Sequence, residues 1–72
     1  MTYKKLVVNI KTWEIRNKKN VTLEKLSILT GLSVSTLNNI ENNKTDPKIS
    51  QLVKIAKALN VQIEELYDIN YK

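Results

Sequence analysis

The side chains that usually perform catalysis are scarce in this sequence. Its 72 residues include no cysteine and no histidine, and the seven acidic residues form no obvious cluster. General-base catalysis, thiol nucleophiles and most transition-metal sites depend on those residue types. The composition therefore argues against an enzyme. It also leads us to expect no metal, no other cofactor and no small-molecule ligand.

The chemistry that remains is hydrogen bonding by neutral amides and hydroxyls, and it is concentrated after residue 33. Leu37 and Ile40 are spaced as the inner face of a helix, which leaves an outer face that is almost uncharged and rich in asparagine. An asparagine side chain can pair with two atoms of the adenine edge at once. The net charge of +5 also favours a polyanion, with nucleic acid as the natural candidate, although many small basic proteins bind no polyanion.

Helical periodicity predicts an all-α fold of five helices in one domain over residues 1–72, because the chain is too short for two cores. The predicted helices are 7–19, 22–30, 34–42, the segment that follows Pro47, and a short fifth helix that includes Ile63, Leu66 and Tyr67. Thr22 and Ser33 are good N-caps. The fourth helix carries the clearest core stripe, formed by Ile49, Leu52, Ile55, Ala56 and Leu59.

Both ends of the chain leave an alternative open. The β-branched pair Val7-Val8 would suit a short strand over residues 3–9 as well as the start of the first helix. Residues 66–71 are more apolar than a free tail, so they could pair with another molecule or with residues 3–8 as a small ribbon. Three asparagines, Asn20, Asn43 and Asn60, mark helix ends where the chain turns through a left-handed conformation.

Two short helices joined at Gly31 form a helix-turn-helix, although the same pattern also describes a simple αα-corner. Residues 22–44, TLEKLSILTGLSVSTLNNIENNK, resemble the motif of phage repressors, Cro proteins and XRE-type bacterial regulators. The likeness continues through Asp46-Pro47, LVKIAKALNV (52–61) and IEELY (63–67), and covers about residues 8–67. The resemblance implies a lambda-repressor-like domain, with its DNA-binding motif at residues 22–43.

The resemblance also implies which residues meet DNA, because in this family the second helix of the motif enters the major groove. The implied base contacts are Val34, Ser35, Asn38 and Asn39. The implied contacts to the DNA backbone are Thr22, Ser33, Thr36, Asn42, Lys44 and Lys48. Asparagine pairing with adenine, and Val34 packing on a thymine methyl, predict at least one A·T pair in each half-site.

Three further residues have an implied structural role. Gly31 makes the turn, and Arg16 and Glu41 stand where the family usually places an ion pair between the first and third helices; the alternative is two unrelated surface charges. Several positions depart from the family pattern: Leu23 replaces a phosphate-bracing Gln, Ser27 the usual Ala, Asn20 and Asn43 a common Gly, and Lys48 a helix-capping Ser or Thr.

We therefore expect a cytoplasmic, homodimeric regulator that binds double-stranded DNA sequence-specifically, acts as a repressor and does not associate with membranes. The alternative is an antitoxin or accessory protein-interaction module in which DNA binding is secondary. RNA binding is disfavoured because the sequence has one arginine and no sign of an exposed aromatic sheet.

Overall fold

The computed structural model describes residues 6–71. In chain order, the elements are strand β1 (Leu6–Ile10), helices α1 (Thr12–Lys18), α2 (Leu23–Thr30), α3 (Val34–Glu41) and α4 (Ile49–Leu59), a 3₁₀ turn (Ile63–Leu66) and strand β2 (Tyr67–Tyr71). Four helices and a two-stranded antiparallel ribbon replace the predicted five-helix, all-α fold. In this part of the chain, no helix combines the length and apolar character that a membrane span requires.

The predicted start of the first helix is wrong. Residues 6–10 pair with β2, Val8 opposite Ile69 and Ile10 opposite Tyr67, so α1 begins only at Thr12. The β-branched pair Val7-Val8 favours a strand once a partner strand is present. The ribbon alternative is therefore correct for residues 6–8, whereas residues 3–5 lie outside the described residues.

The predicted fifth helix is a single 3₁₀ turn. It ends at Leu66 because Tyr67 has an extended backbone, with φ −151° and ψ 154°, and is the first residue of β2. The Lys11 N–H donates to the Leu66 carbonyl over 2.7 Å, which joins this turn to the end of the ribbon. Pairing with β1 thus competes with helix extension and prevails.

The core lies between α2, α3, α4 and the 3₁₀ turn. Its fully buried members include Leu26 from α2, Leu37 and Ile40 from α3, and Leu66. Helix α4 contributes four of the five residues predicted for its stripe: Leu52, Ile55, Ala56 and Leu59. The fifth, Ile49, is 69% exposed. It stands at the first position of α4 and lines a groove beside the ribbon instead of the core.

The helix ends follow the sequence closely. Thr22 and Ser33 cap α2 and α3 through their hydroxyl oxygens. Asn20, Asn43 and Asn60 all have φ of 57°, so the predicted left-handed turns are confirmed. Lys48 contributes no side-chain cap to α4; instead, its own N–H donates to Gln51 Oε1 over 2.9 Å.

Candidate nucleic-acid interface

Helices α2 and α3 are joined by a turn whose geometry depends on Gly31. Its φ of 75° lies in the left-handed region, and its N–H donates to the Ser27 carbonyl over 2.8 Å, closing the end of α2. A Cβ placed on Gly31 would meet nothing within 4 Å. Glycine is therefore favoured by the backbone dihedral and not by lack of space.

Two hydroxyl groups fasten this turn. Ser27 Oγ donates to the Leu32 carbonyl over 2.6 Å. Thr30 Oγ1 donates to the Leu26 carbonyl over 2.7 Å and accepts the Leu32 N–H at 3.1 Å. Sequence reasoning missed both, although Ser27 had been noted as a departure from the family pattern. These bonds occupy polar groups of the turn and hold the angle at which α3 leaves α2.

Arg16 and Glu41 form a paired contact between α1 and the last residue of α3. Arg16 Nε donates to Glu41 Oε2 over 2.8 Å, and Arg16 Nη2 donates to Oε1 over 3.0 Å. The Arg16 and Glu41 side chains are only 9% and 4% exposed. They are therefore not independent surface charges.

The rest of the Arg16 guanidinium is also occupied, because Nη1 donates to the Val21 carbonyl over 2.9 Å. The hydrogen bonds to Glu41 raise the pKa of Arg16 above its ordinary value, against an opposing effect of burial. Arg16 thus remains charged and fixes α3 against α1 at the end opposite the turn. The hydrogen bonds of the turn therefore hold one end of α3, and the Arg16–Glu41 pair holds the other.

The four residues predicted to contact bases lie along the first two turns of α3. Val34, Ser35 and Asn38 are exposed, and Asn39 is partly buried. Asn42 Nδ2 donates to Asn38 Oδ1 over 3.0 Å and to the Asn38 carbonyl over 2.9 Å, so one acceptor of Asn38 is already engaged.

Asn39 differs from Asn38 in its hydrogen bonding. Within residues 6–71 its side chain makes no hydrogen bond, and its carbonyl accepts the Lys44 N–H at 2.9 Å. Both the donor and the acceptor of its amide are therefore available, as two-point pairing with a base edge requires.

The six residues predicted to contact the DNA backbone occupy helix caps and the chain around them. Thr22 Oγ1 accepts the Lys25 N–H at 3.1 Å, which leaves its own hydroxyl hydrogen available. Ser33 Oγ accepts the Thr36 N–H at 3.0 Å and donates to Thr36 Oγ1 over 2.9 Å. Of the Ser33 and Thr36 pair, Thr36 therefore keeps the hydroxyl hydrogen that can be donated to a phosphate.

The remaining members of that set are Asn42, Lys44 and Lys48, and all three are exposed. Asn42 caps the C-terminal end of α3, and Lys48 stands at the N-terminal end of α4. Side-chain hydrogen bonds join Ser33 to Thr36 and Asn38 to Asn42, and a backbone hydrogen bond joins Lys44 to Asn39. The two sets therefore lie on α3, in the loop that follows it, and at the N-terminal ends of α2, α3 and α4.

A family profile described as helix-turn-helix matches residues 14–66. No curated protein matches the sequence. Among solved structures, the restriction-modification controller protein C.AhdI from Aeromonas hydrophila is similar to this chain with a TM-score of 0.74 and 27% identity, over 76% of this chain and 83% of that one.

Proposed function

The chain belongs to the helix-turn-helix family of the phage-repressor, Cro and XRE type, and on that premise we propose that it is a sequence-specific regulator of transcription. The family is non-enzymatic and binds DNA. The proposal adds that α3 reads the major groove and that the bound protein represses. The likeness to a restriction-modification controller supports a regulatory role.

The observation that carries the proposal is the hydrogen-bonding state of Asn39. Its amide has both donor and acceptor available, on a helix held at one end by the Ser33 cap and at the other by the Arg16–Glu41 pair. Because α3 is already fixed at both ends, little backbone entropy is lost when the Asn39 amide binds a base. Adenine, with N7 as acceptor and N6 as donor, is the matching base.

The neighbouring side chains extend this readout. Val34 is exposed at the first position of α3, where an apolar group can pack on a thymine methyl. Thr22, Thr36, Lys44 and Lys48 supply available hydroxyl hydrogens and ammonium groups for phosphates, which set position but not sequence. We infer a half-site that contains at least one A·T pair.

One such domain reads only a few base pairs, so we propose that two copies bind as a homodimer. A two-fold dimer presents two recognition helices to half-sites about 34 Å apart, one turn of the duplex. Its operator is then a palindrome. Occupying that operator would exclude other proteins from the same DNA, which is the proposed route to repression.

Selection from random duplex DNA, followed by titration of the enriched site at two salt concentrations, tests the proposal. We expect a palindrome, and we expect Asn39→Ala to lose about 1–3 kcal/mol of binding free energy, with the loss confined to one base position in each half-site. Lys44→Ala should instead weaken binding to all sequences and reduce the salt dependence.

The matched control is Asn17→Ala, which removes an exposed asparagine from α1, where its amide bonds only to the Trp13 carbonyl. This variant should bind the selected site as the wild type does. Weak, salt-sensitive binding with no enriched sequence would contradict the proposal. That result would favour the alternative of an accessory module that acts through another protein.

A further inference from the structure

One hydrogen bond in the turn between α2 and α3 runs forward along the chain. Ser27, within α2, donates its hydroxyl to the Leu32 carbonyl over 2.6 Å. A hydroxyl side chain inside a helix commonly donates back to the carbonyl four residues earlier, as Thr30 does to Leu26 in the same helix. Ser27 instead reaches five residues ahead, so its hydroxyl joins α2 to the segment that leads into α3.

Both backbone polar groups of Leu32 are bound by side chains of α2. Ser27 Oγ binds its carbonyl, and Thr30 Oγ1 accepts its N–H at 3.1 Å. We call this arrangement of Ser27, Thr30 and Leu32 the Leu32 clamp. Leu32 directly precedes Ser33, whose hydroxyl oxygen accepts the Thr36 N–H and caps α3. The clamp therefore fixes the peptide groups on either side of Leu32, and with them the direction in which α3 begins.

The carbonyl side of the clamp depends on Ser27. Within the part of the chain that the structure describes, Ser27 is the one donor that reaches the Leu32 carbonyl. This carbonyl lies one residue before the N-cap, and the first helical N–H, that of Leu37, donates to the Ser33 carbonyl instead. The hydrogen bonds of α3 itself therefore leave the Leu32 carbonyl without a partner, and a chain without the Ser27 hydroxyl would not hold it in place.

Ser27 does not present a free polar group to DNA. Its side chain is partly buried, and its hydroxyl hydrogen is committed to the Leu32 carbonyl. Its influence on a bound duplex must therefore pass through Leu32 and the first turn of α3.

We propose that Ser27 is a positioning residue for DNA recognition. Its bond to Leu32 sets the angle at which the first turn of α3 enters the major groove, and this angle determines how well that turn distinguishes between bases. The inference rests on the proposed function and adds to it a residue that shapes specificity without touching the DNA.

The proposal predicts where along the operator the influence falls. The clamp holds the start of α3, next to Val34, whereas the Arg16–Glu41 pair holds its last residue. Asn39 lies two residues before Glu41 and is therefore nearer to the ion pair. Loosening the clamp should displace Val34 more than Asn39, so the two parts of the half-site should respond differently.

The test measures binding to the selected duplex site and to each single-base change in it, for the wild type and for Ser27→Ala. Val34→Ala marks the base positions read by the first turn of α3, and Asn39→Ala marks those read farther along. We expect Ser27→Ala to reduce discrimination roughly two- to tenfold at the positions that Val34→Ala marks, and to leave the others unchanged. Binding to random duplex DNA and its salt dependence should stay as in the wild type.

Ser50→Ala is the matched control, because it removes the same hydroxyl from an exposed serine at the second position of α4. This variant should keep the base preferences of the wild type. Thermal unfolding separates positioning from stability. Alanine is a better helix former than serine, which offsets part of the lost hydrogen bond at position 27. A merely structural role for Ser27 would weaken binding to all sequences alike, whereas a positioning role changes the discrimination between bases.

A second measurement needs no DNA. The NMR signal of the Leu32 carbonyl carbon should move in Ser27→Ala and stay in place in Ser50→Ala, because only the first variant removes its hydrogen bond. An unmoved Leu32 signal, or base preferences in Ser27→Ala equal to those of the wild type, would overturn the inference.

Failure of this inference can be told apart from failure of the proposed function. An enriched palindrome that Ser27→Ala reads as the wild type does overturns the positioning role and keeps the regulator. A wild type that enriches no DNA sequence contradicts the regulator and the positioning role together, whether or not the Leu32 signal moves.

Discussion

The helix-turn-helix differs in side-chain burial from the groove between the ribbon and the start of α4. In the motif, Leu26, Leu37 and Ile40 are fully buried and the hydroxyls of Ser27 and Thr30 are hydrogen-bonded. In the groove, Val8, Ile49 and Ile69 are 47%, 69% and 48% exposed. The difference shows which part of the structure is complete within one chain. The motif buries its apolar side chains within one chain, whereas the apolar side chains of the groove remain partly exposed.

Two ion pairs among the described residues show the same contrast. Arg16 and Glu41 are almost wholly buried and share two hydrogen bonds, whereas Lys11 and Asp68 meet at 3.8 Å with 37% and 60% of their side chains exposed. Water screens the ribbon pair, while the buried pair must replace its lost hydration with hydrogen bonds between the two side chains and from Arg16 to the Val21 carbonyl. Removing the carboxylate should therefore lower the free energy of unfolding far more in the Arg16–Glu41 pair than in the Lys11–Asp68 pair.

The largest effect is expected from Glu41→Ala, which leaves the Arg16 guanidinium buried and without its carboxylate. We expect the free energy of unfolding to fall by about 3–5 kcal/mol, which for a domain of this size can abolish folding. Denaturation by urea, followed by circular dichroism, measures the loss.

Asp68→Ala is the control, because it breaks the exposed ion pair of the ribbon. It should cost only about 0–1 kcal/mol. The double change Arg16→Met with Glu41→Leu should recover much of the loss, since two apolar side chains need no charge partner. Similar losses from Glu41→Ala and Asp68→Ala would show that the proposed difference between the two regions is wrong.

The next effect in size concerns the turn. Gly31→Ala adds a methyl group to open space but forces a non-glycine residue to a φ of 75°, so we expect a loss of about 1–2 kcal/mol in unfolding free energy. Gly31→Asn should lose less, because asparagine tolerates this conformation, as it does at positions 20, 43 and 60. Equal losses from the two variants would point to steric contact and contradict the explanation that the backbone dihedral favours glycine at this position.

The parts of the fold that the sequence predicts well are those set by neighbours along the chain. The caps at Thr22 and Ser33 and the left-handed asparagines follow from local hydrogen bonding and local sterics. The core of α2, α3 and most of α4 follows from helical periodicity. A single sequence carries these signals within a few residues of where they act.

The predictions that are wrong lie where contact with a distant segment determines the secondary structure. Val8 suits a helix face or a strand, and the choice is made by Ile69, 61 positions away, with which it pairs. The same pairing ends the predicted fifth helix at Leu66. By its spacing, Ile49 continues the apolar stripe of α4, yet it lies outside the core that buries the other four residues of the stripe. In the candidate interface, the sequence shows that Ser27 has a hydroxyl group. It does not show that this hydroxyl donates to the Leu32 carbonyl, because that contact depends on how the turn closes.

The smallest effect is expected at the joint between the two regions, where β1 ends and α1 begins. Thr12 is 1% exposed, and among the described residues its Oγ1 is the one buried side-chain oxygen or nitrogen without a hydrogen-bond partner. Valine has the same shape and no hydroxyl to desolvate, so Thr12→Val should raise the free energy of unfolding by up to about 1 kcal/mol. Thermal unfolding with circular dichroism detects such a gain.

The same substitution in the motif supplies the control. Thr30 is also buried, but its hydroxyl donates to the Leu26 carbonyl and accepts the Leu32 N–H. Thr30→Val should therefore lower the free energy of unfolding by about 1–3 kcal/mol, because the Leu32 N–H loses its bond to this side chain. A gain in unfolding free energy for Thr12→Val and a loss for Thr30→Val would show that the threonine hydroxyl stabilises the motif and is dispensable where β1 meets α1. A loss of similar size at Thr12 would mean that its hydroxyl has a partner and that the joint is as closed as the turn.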